Sequence, residues 1–162
     1  MRPETEGIIN ALLFLALVTV IYSWIYHPYI MEYNAEKDFL KATQKNLQDR
    51  YSLFYADLCK NEATIKEQVN CVLIATSPVY YYTKDQDRTK IRTPSQYANL
   101  GGNCRDSAVF YATIFKNLNY TINFEFPIPH HVALTIYKKI DKSTYKYCDI
   151  EGNRGTCYEV EV

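Results

Sequence analysis

A chain of 162 residues has room for one compact domain and an appendage, and two large domains will not fit, because a domain usually takes on the order of 100 to 200 residues. Lysine plus arginine number 18 and aspartate plus glutamate 18, so no bulk field exists to gather nucleic acid or a strongly acidic substrate, and no nucleic-acid partner is expected. With 16 tyrosines against 5 glycines, the composition suits a folded, strand-containing domain and argues against disorder.

The first element is an uncharged run, IINALLFLALVTVIYSWIY, from Ile8 to Tyr26. At about 1.5 Å per residue it covers most of a ~30 Å hydrocarbon layer. Tyr22, Trp24, Tyr26 and Tyr29 crowd its C-terminal end, where amphipathic rings favour a membrane interface. Apolar residues cover every face, which disfavours a buried helix with one apolar stripe. Bulky residues from Ile21 to Met31 leave no small-x-small site for cleavage of a signal peptide. The run therefore predicts a short tail at 1–7 and an uncleaved transmembrane anchor over 8–27 in contact with membrane lipid, with a membrane-protein partner open. Arg2 before the span and Lys37, Lys41 and Lys45 after it do not fix its orientation. The cysteine pattern and the sequon Asn119-Tyr120-Thr121 both favour an extracytoplasmic domain on a single-pass protein of the cell membrane.

From Glu32 to about Cys71 the sequence turns polar, with Phe39, Leu47, Tyr51, Phe54, Leu58 and Ile65 recurring at helical intervals or their multiples. This predicts a helical stalk and packing helices over 28–71, followed by the functional core over 72–162. Residues 77 to 94 carry prolines near both ends and a charged middle, which predicts a loop whose tyrosines line a cleft.

The five cysteines contain no CxxC, and the histidines fall at 27, 130 and 131, so neither a zinc site nor any other cofactor is expected. Two pairs of modest spacing, Cys59 with Cys71 and Cys148 with Cys157, leave Cys104 over; the competing reading is five reduced, buried thiols.

Gly101-Gly102-Asn103 allows an unusual turn and supplies a cap for a helix opening at Cys104. Ala108, Tyr111, Ala112, Phe115 and Leu118 fall on one face, and Asn119 is a fitting terminator. A thiol at a helix start meets the positive end of the dipole and unpaired N–H groups, which favour its thiolate and can hold an oxyanion. Taken alone, Cys104 fits a structural role at a helix start better than a catalytic one.

Thr121 to Phe126 alternates as a half-buried strand, His131 to Tyr137 alternates again, and Thr144 to Ile150 returns after a polar loop. A hairpin centred near Ile140 puts His131 directly across from Asp149, with Cβ atoms about 4.5–5.5 Å apart. A slip of one residue would substitute His130.

Gly102-Asn103-Cys104-Arg105-Asp106, followed by an amphipathic helix, a short strand, a histidine opening a second strand and an aspartate closing a third, resembles the transglutaminase-like superfamily over about Ser77 to Gly152. The resemblance implies an α+β fold with a papain-like core, its catalytic helix packed on a small antiparallel sheet after the N-terminal transmembrane helix. It also implies a triad of Cys104 as nucleophile, His131 as base and Asp149 as the group that orients the histidine. The expected chemistry is acyl transfer on an amide or peptide bond of a protein or peptide substrate through a Cys-thioester, hydrolysis preferred over amine transfer. The alternatives are a non-catalytic binding module of the same fold and a membrane-bound assembly subunit.

Overall fold

The computed structural model describes residues 3–83, 90–127, 131–139, 144–151 and 154–161; the side chains of 3–9, 25–33, 139, 144–149, 151 and 158–161 are outside that description. The chain divides into two compact units, Met1–Lys37 and Asp38–Val162.

The first unit consists mainly of the N-terminal part of helix α1 (Pro3–Lys45), where Leu12, Leu13, Phe14, Leu15 and Leu17 are exposed. The expected transmembrane helix over 8–27 is corrected here, because no helix among the described residues is long and apolar enough to cross a membrane. Helix α1 carries the apolar run on through Pro28 into polar sequence without a break. The chain is a small α+β domain in which no helix among the described residues is a membrane span, so the expected single-pass anchor and cell-membrane location are not supported.

In the second unit each short helix begins at a side-chain cap, the local signal that satisfies N–H groups a helix start leaves over. Asp49 accepts the Tyr51 N–H at 3.0 Å and opens α2 (Arg50–Cys59). Thr64 and Glu67 form a reciprocal capping box on α3 (Ile65–Thr76), which runs into a 3-10 turn at Ser77–Val79. Thr93 and Gln96 do the same for α4 (Pro94–Leu100), with Pro94 in its first turn. The expected loop over 77–94 therefore holds a 3-10 turn and the start of α4, and its residues 84–89 lie outside the described residues. Cys59 and Cys71 form a disulfide that joins the end of α2 to α3.

Helix α5 (Cys104–Asn117) is the centre of the core: Val109, Phe110, Ala112, Ile114 and Phe115 are all inaccessible to solvent. It ends at Asn119, which takes the left-handed backbone (φ 64°) that turns the chain into β1 (Thr121–Glu125). Strands β2 (Ala133–Lys139), β3 (Thr144–Glu151) and β4 (Arg154–Glu161) follow as an antiparallel meander in the order β1-β2-β3-β4. α5 lies against β1, β2 and β3, and Phe39 from the end of α1 packs on Phe124 at 5.3 Å between ring centres.

The register differs from the expected one. Leu134 pairs with Ile150, Thr135 with Asp149 and Ile136 with Cys148, so the β2–β3 hairpin centres two residues beyond Ile140. A centre at Ile140 would have set Leu134 against Lys146 and Ile136 against Thr144, putting polar side chains in the row that Leu134 and Ile136 bury. Apolar matching within one row decides the register, since the face each residue presents is fixed by the two-residue period. Cys157 stands opposite Cys148 and is disulfide-bonded; the Cys148 side chain is outside the described residues.

Candidate functional site

The turn that delivers Cys104 is built from close approaches that only glycine permits. Gly101 caps α4 with φ 67° and gives its N–H to Tyr97 O, and a Cβ there would stand 2.2 Å from Tyr81 O. A Cβ on Gly102 would lie 2.6 Å from Asp106 Cβ and 2.8 Å from Tyr97 Cδ2. Gly102 is clamped from outside as well, giving its N–H to Tyr81 O at 2.9 Å and accepting the Thr83 N–H at 3.0 Å.

Asn103 then caps α5. Its Oδ1 accepts the N–H groups of Arg105 and Asp106 at 3.0 and 3.4 Å, and its backbone carbonyl accepts that of Ser107 at 3.0 Å. Asp106, 2 % exposed, closes the box by accepting the Asn103 N–H at 3.1 Å, while its other oxygen accepts the Arg92 N–H at 2.9 Å. The motif Gly-Asn-Cys-Arg-Asp is thus a pinned helix start, and its aspartate is a buried cap whose structural role the sequence reading did not assign. Its signal was legible: Asn followed three residues later by Asp in front of an apolar run. The pinning also narrows the chemistry, because among the N–H groups at the helix start those of Arg105, Asp106 and Ser107 are taken up by Asn103.

Cys104 is the first residue of α5, half-buried, and forms no disulfide. It sits where the partial positive charge of the helix favours an anion. His131 is half-buried two residues before β2, its Nε2 shielded from solvent. The topology brings these two to one end of the layer. α5 advances about 21 Å over its length and β1 returns about 17 Å beside it. The close of β1 and the opening of β2, paired at Glu125 and Ala133, therefore lie toward the start of α5.

Asp149 is near the end of β3, at this same end of the sheet, but the ladder sets it opposite Thr135 and not His131. Four residues separate those two positions, up to about 13 Å of extended chain. The Asp149 side chain and all of His130 lie outside the described residues.

Buried tyrosine hydroxyls that sequence reasoning missed lie on α4 (Tyr97), on α5 (Tyr111) and beyond the far end of α5 (Tyr120). Tyr97 is 1 % exposed, and its burial pushes its pKa up to about 12. Burial likewise raises Tyr111, whose Oη lies 3.0 Å from Thr76 Oγ1. Tyr120, also pushed up to about 12 by burial, donates to Gln68 Oε1 at 2.8 Å. No metal-binding group of histidine, cysteine and acidic side chains occurs among the described residues. No family model, curated protein or solved structure matches the chain.

Proposed function

We propose that this chain is a thiol acyl-transfer enzyme of transglutaminase-like type, with Cys104 as nucleophile and His131 as base, acting on an amide or peptide bond. The observation that carries the reading is the position of Cys104: a half-buried thiol outside the disulfides, on the first residue of a helix whose start is held rigidly by Asn103 and Asp106. A helix start favours thiolate over thiol. His131, half-buried two residues before β2, is the imidazole that this reading assigns as the base such a nucleophile needs.

In the proposed reaction the Cys104 thiolate attacks the carbonyl carbon, and the carbonyl π electrons move onto oxygen. As the tetrahedral intermediate collapses, the C–N bond breaks and the imidazolium of His131 gives its proton to the leaving amine. The acyl group remains as a thioester. Water, deprotonated by the now neutral His131, attacks that thioester to release a carboxylic acid and restore the thiol; an amine in its place would yield a new amide. Hydrolysis is the preferred outcome. Asp149 is carried as the orienting carboxylate that the resemblance implies, and its place opposite Thr135 speaks against that role.

That same register, together with the occupied amides of α5, favours a second reading: a binding module of this fold with no catalytic activity. Alkylation separates the two. At about pH 6 iodoacetamide should label Cys104 roughly tenfold faster than an exposed ordinary thiol, whose pKa is about 8.5. His131→Ala should remove that advantage, and Asp149→Asn should reduce it if the carboxylate orients the ring. Labelling at the ordinary rate, indifferent to His131→Ala, would establish the binding module instead.

A further inference from the structure

The stretch Tyr81–Thr83 runs beside the turn that leads to Cys104, with Tyr82 and Gly102 paired in parallel. Tyr81 O accepts the Gly102 N–H at 2.9 Å, and Gly102 O accepts the Thr83 N–H at 3.0 Å. Both bonds to the turn come from the neighbours of Tyr82. Successive residues of a paired strand turn their main-chain groups to opposite sides, so the N–H and C=O of Tyr82 itself face away from the turn. Neither takes a hydrogen bond among the described residues, and Tyr82 is 58 % exposed.

The inner side of the stretch, by contrast, is tied down. Arg92 Nη1 donates to Thr83 Oγ1 at 3.3 Å and to Leu100 O at 3.4 Å, joining the stretch to the end of α4. The Tyr81 ring lies against Gly101, its Cδ1 2.8 Å from where a Cβ would stand. An extended residue with one edge bonded and the other open is a template for a further strand. Its setting is apolar, since Tyr81 and Leu100, which adjoin Gly101, are 68 % and 59 % exposed.

We propose that the open edge of Tyr82 binds an extended peptide main chain to main chain, with an apolar side chain of that peptide set among Tyr81, Tyr82 and Leu100. The peptide accepts the Tyr82 N–H and donates to the Tyr82 C=O. It lies one strand spacing, about 4.8 Å, outside Tyr82 and two outside Gly102, which precedes Cys104 by two residues. About four extended residues cover the distance from that edge to the thiol. That this peptide is the acyl donor rests on the acyl transfer proposed above; the edge itself serves a binding module equally.

Binding is measured on the full chain carrying Cys104→Ser, so that no thioester forms, with end-blocked hexapeptides whose two central residues are both leucine, phenylalanine, aspartate or lysine. The leucine or phenylalanine peptide should bind about tenfold more tightly than the charged ones, as burial of an apolar side chain requires. Methylating both central amide nitrogens of that peptide removes its donors and should weaken it about tenfold. Tyr82→Pro, which lacks the N–H, should weaken it likewise. No binding by any of the four peptides, or affinity indifferent to both N-methylation and Tyr82→Pro, would overturn the proposal. Should Tyr82→Pro fail to fold, the methylated peptides still decide. With Cys104 restored, binding that is sensitive to N-methylation without a thioester detected by mass would uphold the edge and remove the acyl-transfer reading. Thioester formation indifferent to Tyr82→Pro would do the reverse.

Discussion

The helical side of the domain and its sheet are specified in different ways. Four short helices each open on their own cap, and a disulfide ties α2 to α3, so several local devices hold the helix starts in place. The sheet depends on matching one buried row, Ile122 and Phe124 against Ile136 and Leu134, and Leu134 in turn against Ile150. Cys104 belongs to the first kind of construction and His131 and Asp149 to the second. The nucleophile's place is therefore fixed by its neighbours in sequence, while the relation of histidine to aspartate depends on a choice made across the whole hairpin.

The disulfide offers the largest test of that contrast. It closes a loop of 12 residues in sequence separation, and its removal frees the unfolded chain by about 3 kcal/mol. The Cys59→Ser/Cys71→Ser variant should lose about that much in denaturant unfolding, with strand content by circular dichroism kept below the transition. Loss of the sheet under native conditions would show that the two sides are not separately specified.

This contrast also governs what could be read from the chain alone. The start of α5, its Asn103 cap, the Asn119 terminator and the Cys59–Cys71 bridge were legible because each is a signal confined to a few residues. α4 was legible in principle, since Thr93, Pro94, Gln96 and Gly101 mark its ends, but its seven residues were too few for periodicity to reveal. β4 hid behind the pair Gly152-Asn153, a hairpin signal that the reading passed over. The β2–β3 register was missed because alternation fixes which face a residue takes and leaves its partner open by steps of two. The membrane anchor was overread for a related reason: composition over 8–26 speaks of polarity, and says nothing of a helix that carries on to Lys45.

A second test uses the buried tyrosines, which sit on α4, on α5 and just before β1. Tyr97 and Tyr120 hold their protons in the folded state to about pH 12, against 10.0 ordinarily, and burial is the first cause in both. A raised folded pKa means that unfolding releases protons once the pH passes 10. Stability from these groups is therefore intact below pH 10 and is lost progressively as pH climbs through about 12. Denaturant midpoints measured from pH 9 to 12 should fall in step with the appearance of tyrosinate absorbance. A midpoint flat across that range would mean the hydroxyls are reached by solvent.

The smallest expected effects come from the cap of α5, and they bear most directly on the candidate nucleophile. Asp106→Ala leaves the Asn103 and Arg92 amides without their acceptor in a buried setting, and should cost about 2 kcal/mol. Asn103→Ala removes an ordinary cap and should cost about 1 kcal/mol, largely restored by Asn103→Ser or Asn103→Asp. The two changes are expected to differ in their effect on Cys104 as well. Losing Asn103 releases the Arg105 and Asp106 amides toward the thiol, so alkylation at about pH 6 should become faster even as stability falls. Losing Asp106 loosens the turn that aims the thiol and leaves the Arg105 and residue-106 amides on Asn103 Oδ1, so it should not accelerate labelling. Equal effects of both variants on the labelling rate would mean that the helix start acts on Cys104 only by holding it in place, and that its amides lend the thiolate no charge stabilisation.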